Sequence, residues 1–117
     1  MFSHVHIRVA DLAGSTLFYE TVLAPLGIAK TWDDGRLVEF ELLALSADGP
    51  VSQNVHLAFV AASREEVEVF HRAGVGTGYR DHGAPRYRPQ YAPDHFAAYV
   101  LDPDGNNVEA VWRDPSR

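Results

Sequence analysis

Three residues stand out for the chemistry their types could do: His4, His56 and Glu109. Each sits in a stretch of alternating or apolar residues, H-V-H-I-R-V-A, N-V-H-L-A-F-V and N-V-E-A-V-W. Strand side chains alternate between faces. His4, with His6 and Arg8, therefore points away from Val5, Ile7 and Val9. By the same parity His56 opposes Leu57 and Phe59, and Glu109 opposes Val108, Ala110 and Trp112. Two imidazoles and a carboxylate with open positions beside them suit Fe(II), Mn(II), Ni(II) or Zn(II). An ionised Glu109 among apolar neighbours is costly unless it is paired, and a divalent cation would supply the partner. A lone strand histidine commonly faces solvent or a hydrogen-bonding neighbour, and a glutamate in a last strand commonly faces water. Three such residues at matching places are harder to assign to chance.

The elements that must position them repeat. Residues 4–10 alternate as a strand, and residues 13–24 turn helical, with Leu17, Phe18 and Val22 as the apolar face and Asp11 or Ser15 as cap. Pro25 ends the helix, and Leu26-Gly27-Ile28 begins the next strand. Asp33-Asp34-Gly35 reads as a hairpin turn, followed by strands over 36–41 and L-L-A-L-S-A. The order then restarts. A strand covers 54–61, and a helix covers 63–73 with Ser63 and Glu66 as a capping box and Gly74, Gly76 and Gly78 at its close. Residues 79–94 read as a loop-rich segment with three prolines. H-F-A-A-Y-V-L is the next strand, D-P-D-G the turn, and N-V-E-A-V-W the last strand. Shifting the first half by 52 residues lays His4 on His56, Asp11 on Ser63 and Phe18 on Phe70 without a gap. A repeat of that length implies two copies of one supersecondary unit and not a solenoid. The expected fold is α+β: a single domain over 1–117, two βαβββ modules of about 1–50 and 51–117, closing into a cupped mixed sheet around a common site.

Composition narrows the function classes. The formal charge of −6 argues against nucleic acid as the main partner. No stretch is apolar enough to span a bilayer, and M-F-S-H-V-H-I-R-V-A-D lacks the basic and continuous apolar regions of a signal peptide. The chain has no cysteine, so thiol nucleophiles, thiolate metal sites and disulfides are excluded, which fits a cytoplasmic protein.

H-x-x-I-x-V-x-D-L-x-x-S-x-x-F-Y-x-x-V-L-x-x-L-G over 4–27, H-x-A-F-V-A over 56–61 and L-D-P-D-G-N-N-x-E-A-V over 101–111 resemble the vicinal oxygen chelate superfamily. This group comprises the glyoxalases, bleomycin-resistance proteins, fosfomycin-resistance thiol transferases and extradiol dioxygenases. The second half looks most like a bacterial glyoxalase-like group. The resemblance implies a divalent metal held by His4, His56 and Glu109, and modules that often pair across a homodimer. It also implies a lyase, isomerase or thiol transferase acting on vicinal oxygens of a small substrate. Two other members are alternatives, an extradiol-type dioxygenase and a metal-free drug-binding protein of bleomycin-resistance type. Glyoxalases I add a fourth ligand from the first module's last strand. Here that place is apolar, and Glu39 or Glu41 would serve only if the strand shifts.

Around that set, Tyr99 is a candidate acid/base or hydrogen-bond donor, or simply a strand aromatic in the cup wall. His6 is a supporting group behind the metal, a proton shuttle or a solvent-facing histidine. Arg8, Arg86, Arg88, Tyr91 and His95 are candidates for gripping substrate, with the basic residues suited to an anion.

Overall fold

A computed structural model describes all of residues 1–117. The chain runs β1 (Val5–Arg8), α1 (Leu12–Leu23), a 3-10 turn (Ala24–Leu26), β2 (Trp32–Asp33), β3 (Leu37–Phe40) and β4 (Leu43–Ser46). It then repeats as β5 (His56–Val60), α2 (Arg64–Gly76), β6 (Arg80–Tyr87), β7 (His95–Leu101) and β8 (Asn107–Arg113). The strands make two four-stranded mixed sheets of identical topology, ordered β1-β4-β3-β2 and β5-β8-β7-β6. In each, the first strand lies parallel to the last and the others are antiparallel. The two-module α+β fold is thus the one expected.

The two sheets share no strand pair, so β1 and β5 each remain a sheet edge within a single chain. The helices join the modules instead. Helix α2 packs on α1 and the 3-10 turn as well as on β6, β7 and β8. One apolar core runs through both halves, from Ile7, Val9, Phe18, Tyr19, Val22 and Leu45 to Val67, Phe70, Phe96 and Val100. Close approach at its centre needs Gly74. A Cβ there would stand 3.2 Å from methyls of both Val22 and Val100.

A second clasp crosses the modules. The buried Asp102 accepts hydrogen bonds from the Tyr19 hydroxyl of α1 (2.8 Å), from the backbone N–H groups of Asp104 (2.9 Å) and Asn106 (2.8 Å), and from the Asn106 side-chain amide (3.3 Å). The D-P-D-G turn therefore does more than launch β8. It fixes the β7–β8 connection to the first helix, with Gly105 supplying the left-handed residue (φ 85°).

Three local expectations change. Residues 79–94 are not mainly loop, since Arg80–Tyr87 is an eight-residue strand. It lies at the sheet edge, with register shifts around Gly83, and there a proline in the strand does not break the ladder. Leu17 is 60% exposed, and the buried face of α1 is Ser15, Thr16, Phe18, Tyr19, Val22 and Leu23. Leu26-Gly27-Ile28 does not begin a strand. The 3-10 turn ends at Gly27 in the left-handed region (φ 75°), and β2 starts only at Trp32. Ser63 caps α2 as expected, accepting from the Glu66 N–H at 3.1 Å, while the Glu66 carboxylate reaches back to the Ala62 N–H at 2.8 Å. Asp11 is the N-cap residue of α1 but makes no side-chain capping bond. No helix is long and apolar enough to cross a membrane.

Candidate functional site

Strand parity sorts the second sheet as the alternation requires. Val108 and Ala110 join the core, as do Phe96, Ala98 and Val100, with Leu57, Phe59 and Trp112 packed against it. The opposite face carries His56, His95, Tyr99 and Glu109. With Tyr91 and Arg113 these line a cavity of about 380 Å³.

Glu109 is the centre of this face. Only 3% of the residue is exposed, and its two oxygens have separate partners. His56 Nε2 lies 2.7 Å from Oε1 and His95 Nε2 lies 2.9 Å from Oε2. The cost of burying a carboxylate is thus met by two imidazoles. Tyr99 stands directly across the ladder from Glu109, its ring 6.1 Å from that of His56. Burial, and then the Glu109 charge, push the Tyr99 phenol up to about 12. At neutral pH the group is therefore a proton-bearing donor.

Arg88 does not face the cavity as a free substrate grip. It is 95% buried by its exposure of 5%, stacks 4.9 Å from the Tyr99 ring centre, and donates Nη2 to the carbonyls of Ala84 and Ala97. Burial foremost, and then the charge of Arg86, lower the pKa of its guanidinium. Gly83 makes room for this stack. A Cβ there would fall 2.7 Å from the Tyr99 ring and 3.1 Å from Arg88 Nη2. Arg86 is exposed, and Tyr91 lies on the cavity wall with its ring 5.2 Å from His95. Arg113 was not singled out from sequence, although its parity with Glu109 would have placed it on this face.

The first module presents a separate surface. His4 immediately precedes β1, is exposed, and bonds only Ser3 (3.1 Å). His6 Nε2 lies 2.7 Å from Ser46 Oγ. Ser46 in turn donates to Asp48 Oδ1 (2.7 Å), which also accepts from Arg8 Nε (3.2 Å). His6, Ser46 and Asp48 border a cavity of about 700 Å³ with Leu12, Gly35, Arg36 and Leu37. No sequence signal joins His6 to Ser46, because the β1–β4 register that makes them neighbours is set by tertiary pairing.

Register also compares the modules residue by residue. His6 pairs with Ala44 as Ala58 pairs with Glu109, so Ala44 occupies the first-module counterpart of Glu109. Glu39 pairs across the ladder with Ala44 and shares its face, as Tyr99 does with Glu109. Glu41 is in the β3–β4 turn, exposed and in the left-handed region (φ 55°).

The donor types fit a divalent metal, since His56 and the buried Glu109 converge at a cavity and His4 is free on an edge. The count is not met within one chain: no three His, Asp or Glu side chains are arranged to hold an ion. In the trio His56, Glu109 and His95 the carboxylate stands between the imidazoles, each bonded to a different oxygen.

Fold, repeat and site face together define a vicinal oxygen chelate protein, and the chain belongs to the glyoxalase/bleomycin resistance protein family within that superfamily. It is 31% identical to a glyoxalase/bleomycin resistance protein from Albidiferax ferrireducens, with 97% of this chain and 99% of that one covered at a TM-score of 0.81. The fold is also that of a lactoylglutathione lyase from Agrobacterium tumefaciens, 21% identical, with 96% and 92% covered at a TM-score of 0.69. A genomically encoded fosfomycin resistance protein from Listeria monocytogenes shares it too, 19% identical, with 99% and 95% covered at 0.70. No family model and no curated protein matches the chain.

Proposed function

We propose that this protein is a small divalent-metal-dependent enzyme of glyoxalase type, acting as a lyase, isomerase or thiol transferase on a substrate with two adjacent oxygens. The observation that carries the proposal is the buried Glu109 carboxylate bonded to His56 on the wall of a cavity. His4, His56 and Glu109 would hold the metal, which acts in such a site as a Lewis acid toward the bound oxygens. Since β1 and β5 are unpaired edges of different sheets, His4 would come from a second copy of the chain, in a homodimer whose first-module face covers the second-module face of its partner. That arrangement would also cover Val60, exposed at 78% on the His56 side of β5.

Tyr99 would donate a hydrogen bond to a substrate oxygen as negative charge develops there. His6, held by Ser46, would take or return a proton from the opposite wall. Tyr91, the exposed Arg86 and the half-buried Arg8 would orient an anionic substrate; Arg88 would act only through the Tyr99 ring it supports.

The test is metal analysis of protein purified without a polyhistidine tag. Stoichiometric divalent metal that is lost in His56→Ala is expected. A second reading, a metal-free cup that sequesters a small aromatic molecule, is favoured by the absence of three convergent donors within one chain and by Tyr91 and Tyr99 on the cavity wall. It predicts no metal, and ligand binding that survives His56→Ala.

A further inference from the structure

The two hydrogen-bond partners of the His95 ring, an acceptor-only carboxylate at Nε2 and a donor-only guanidinium at Nδ1, assign its tautomer. Its Nδ1 lies 3.4 Å from Arg113 Nη1, and a guanidinium can only donate, so Nδ1 is the acceptor and the ring proton is on Nε2. That Nε2–H points at Glu109 Oε2, 2.9 Å away. The side chain is 16% exposed and packs beside the Tyr91 ring, which limits its freedom to turn. A nitrogen that carries a proton toward a carboxylate has no lone pair for a metal. His56 differs. Its side chain is 52% exposed, only its Nε2 is engaged, and a shift of its proton to Nδ1 frees that Nε2 as a donor. The first module adds no carboxylate at Ala44, so the direction of Glu109 carries more of the site than it would in a four-ligand set.

We propose that His95 is a positioning residue for Glu109. By holding Oε2 it leaves Oε1, beside His56, as the oxygen presented to a divalent cation. This rests on the metal-enzyme reading above. It assigns to His95 a role in orienting a ligand, one shell behind the metal, in place of contact with substrate.

Co(II) titration of the untagged protein, followed by its visible absorption, tests the assignment. His95→Ala should weaken Co(II) binding by about 10- to 100-fold, the range for lost support behind a ligand. His95→Gln, whose amide can donate to the same oxygen, should recover most of that loss, and the bands of bound Co(II) should keep their shape in both variants. Affinity in His95→Ala equal to wild type overturns the proposal. So do altered bands in both variants without recovery in His95→Gln, which would make His95 a ligand. If the wild-type protein binds no Co(II), the metal-enzyme reading itself fails and His95 with it. Binding lost in His56→Ala but kept in His95→Ala overturns the role of His95 alone.

Discussion

Glu109 and Tyr99 face each other across one rung of the β7–β8 ladder, and the carboxylate adds to the effect of burial on the phenol. A phenol pushed up to about 12 by burial and by a carboxylate neighbour keeps its proton throughout the working pH range of a protein. Ultraviolet titration should therefore show one tyrosine ionising near that value that is missing in Tyr99→Phe. An additional phenolate appearing near the ordinary value of about 10 would mean that Tyr99 is not so placed. His56, Tyr99 and Glu109 were all legible from strand parity. Arg88 was not: as a basic residue in a segment that reads as loop it suited an anionic substrate, and only packing showed its guanidinium against the Tyr99 ring.

Asp102 and Asp114 show how elements are tied down. Replacing Asp102 with alanine removes the acceptor of four hydrogen bonds and leaves the buried Tyr19 hydroxyl unpaired. A loss of about 2–4 kcal/mol is expected, measured by urea unfolding, with Asp102→Asn losing less because it keeps an acceptor oxygen. Asp114 closes β8. Hydrogen bonds from the Ser116 hydroxyl, the Tyr87 hydroxyl and the Ser116 N–H hold its carboxyl below the usual carboxylate range. Its folded pKa is depressed, so its contribution is present above the unfolded carboxylate value and is lost as pH falls through the folded one. Thermal midpoints of wild type and Asp114→Asn should thus differ at pH 6 and converge at the acid end. A constant difference across that span would remove the ionised carboxylate from the explanation. At this scale the sequence signalled helices and turns well, because caps and glycines act locally. It missed β6, whose bulged edge pairing depends on β7 and not on its own alternation.

At the scale of the molecule, the proposed site needs two copies of the chain. Mixing His4→Ala with Glu109→Gln protein and allowing subunits to exchange should restore about a quarter of wild-type metal sites. Half of the dimers would be mixed, and each mixed dimer would keep one intact pair of faces. No recovery, with exchange verified, would overturn a metal site shared between two chains. Sequence by itself determined the repeat, the two βαβββ units and the face on which each candidate ligand lies, because those follow from local periodicity and a 52-residue offset. Only the tertiary structure decided which of those faces meet. Helices α1 and α2 pack together in one core while the edges of β1 and β5 stay apart. His4 is thereby separated from Glu109, and His95 becomes its second partner, since which residues of different strands touch is fixed by register and packing that no local pattern encodes.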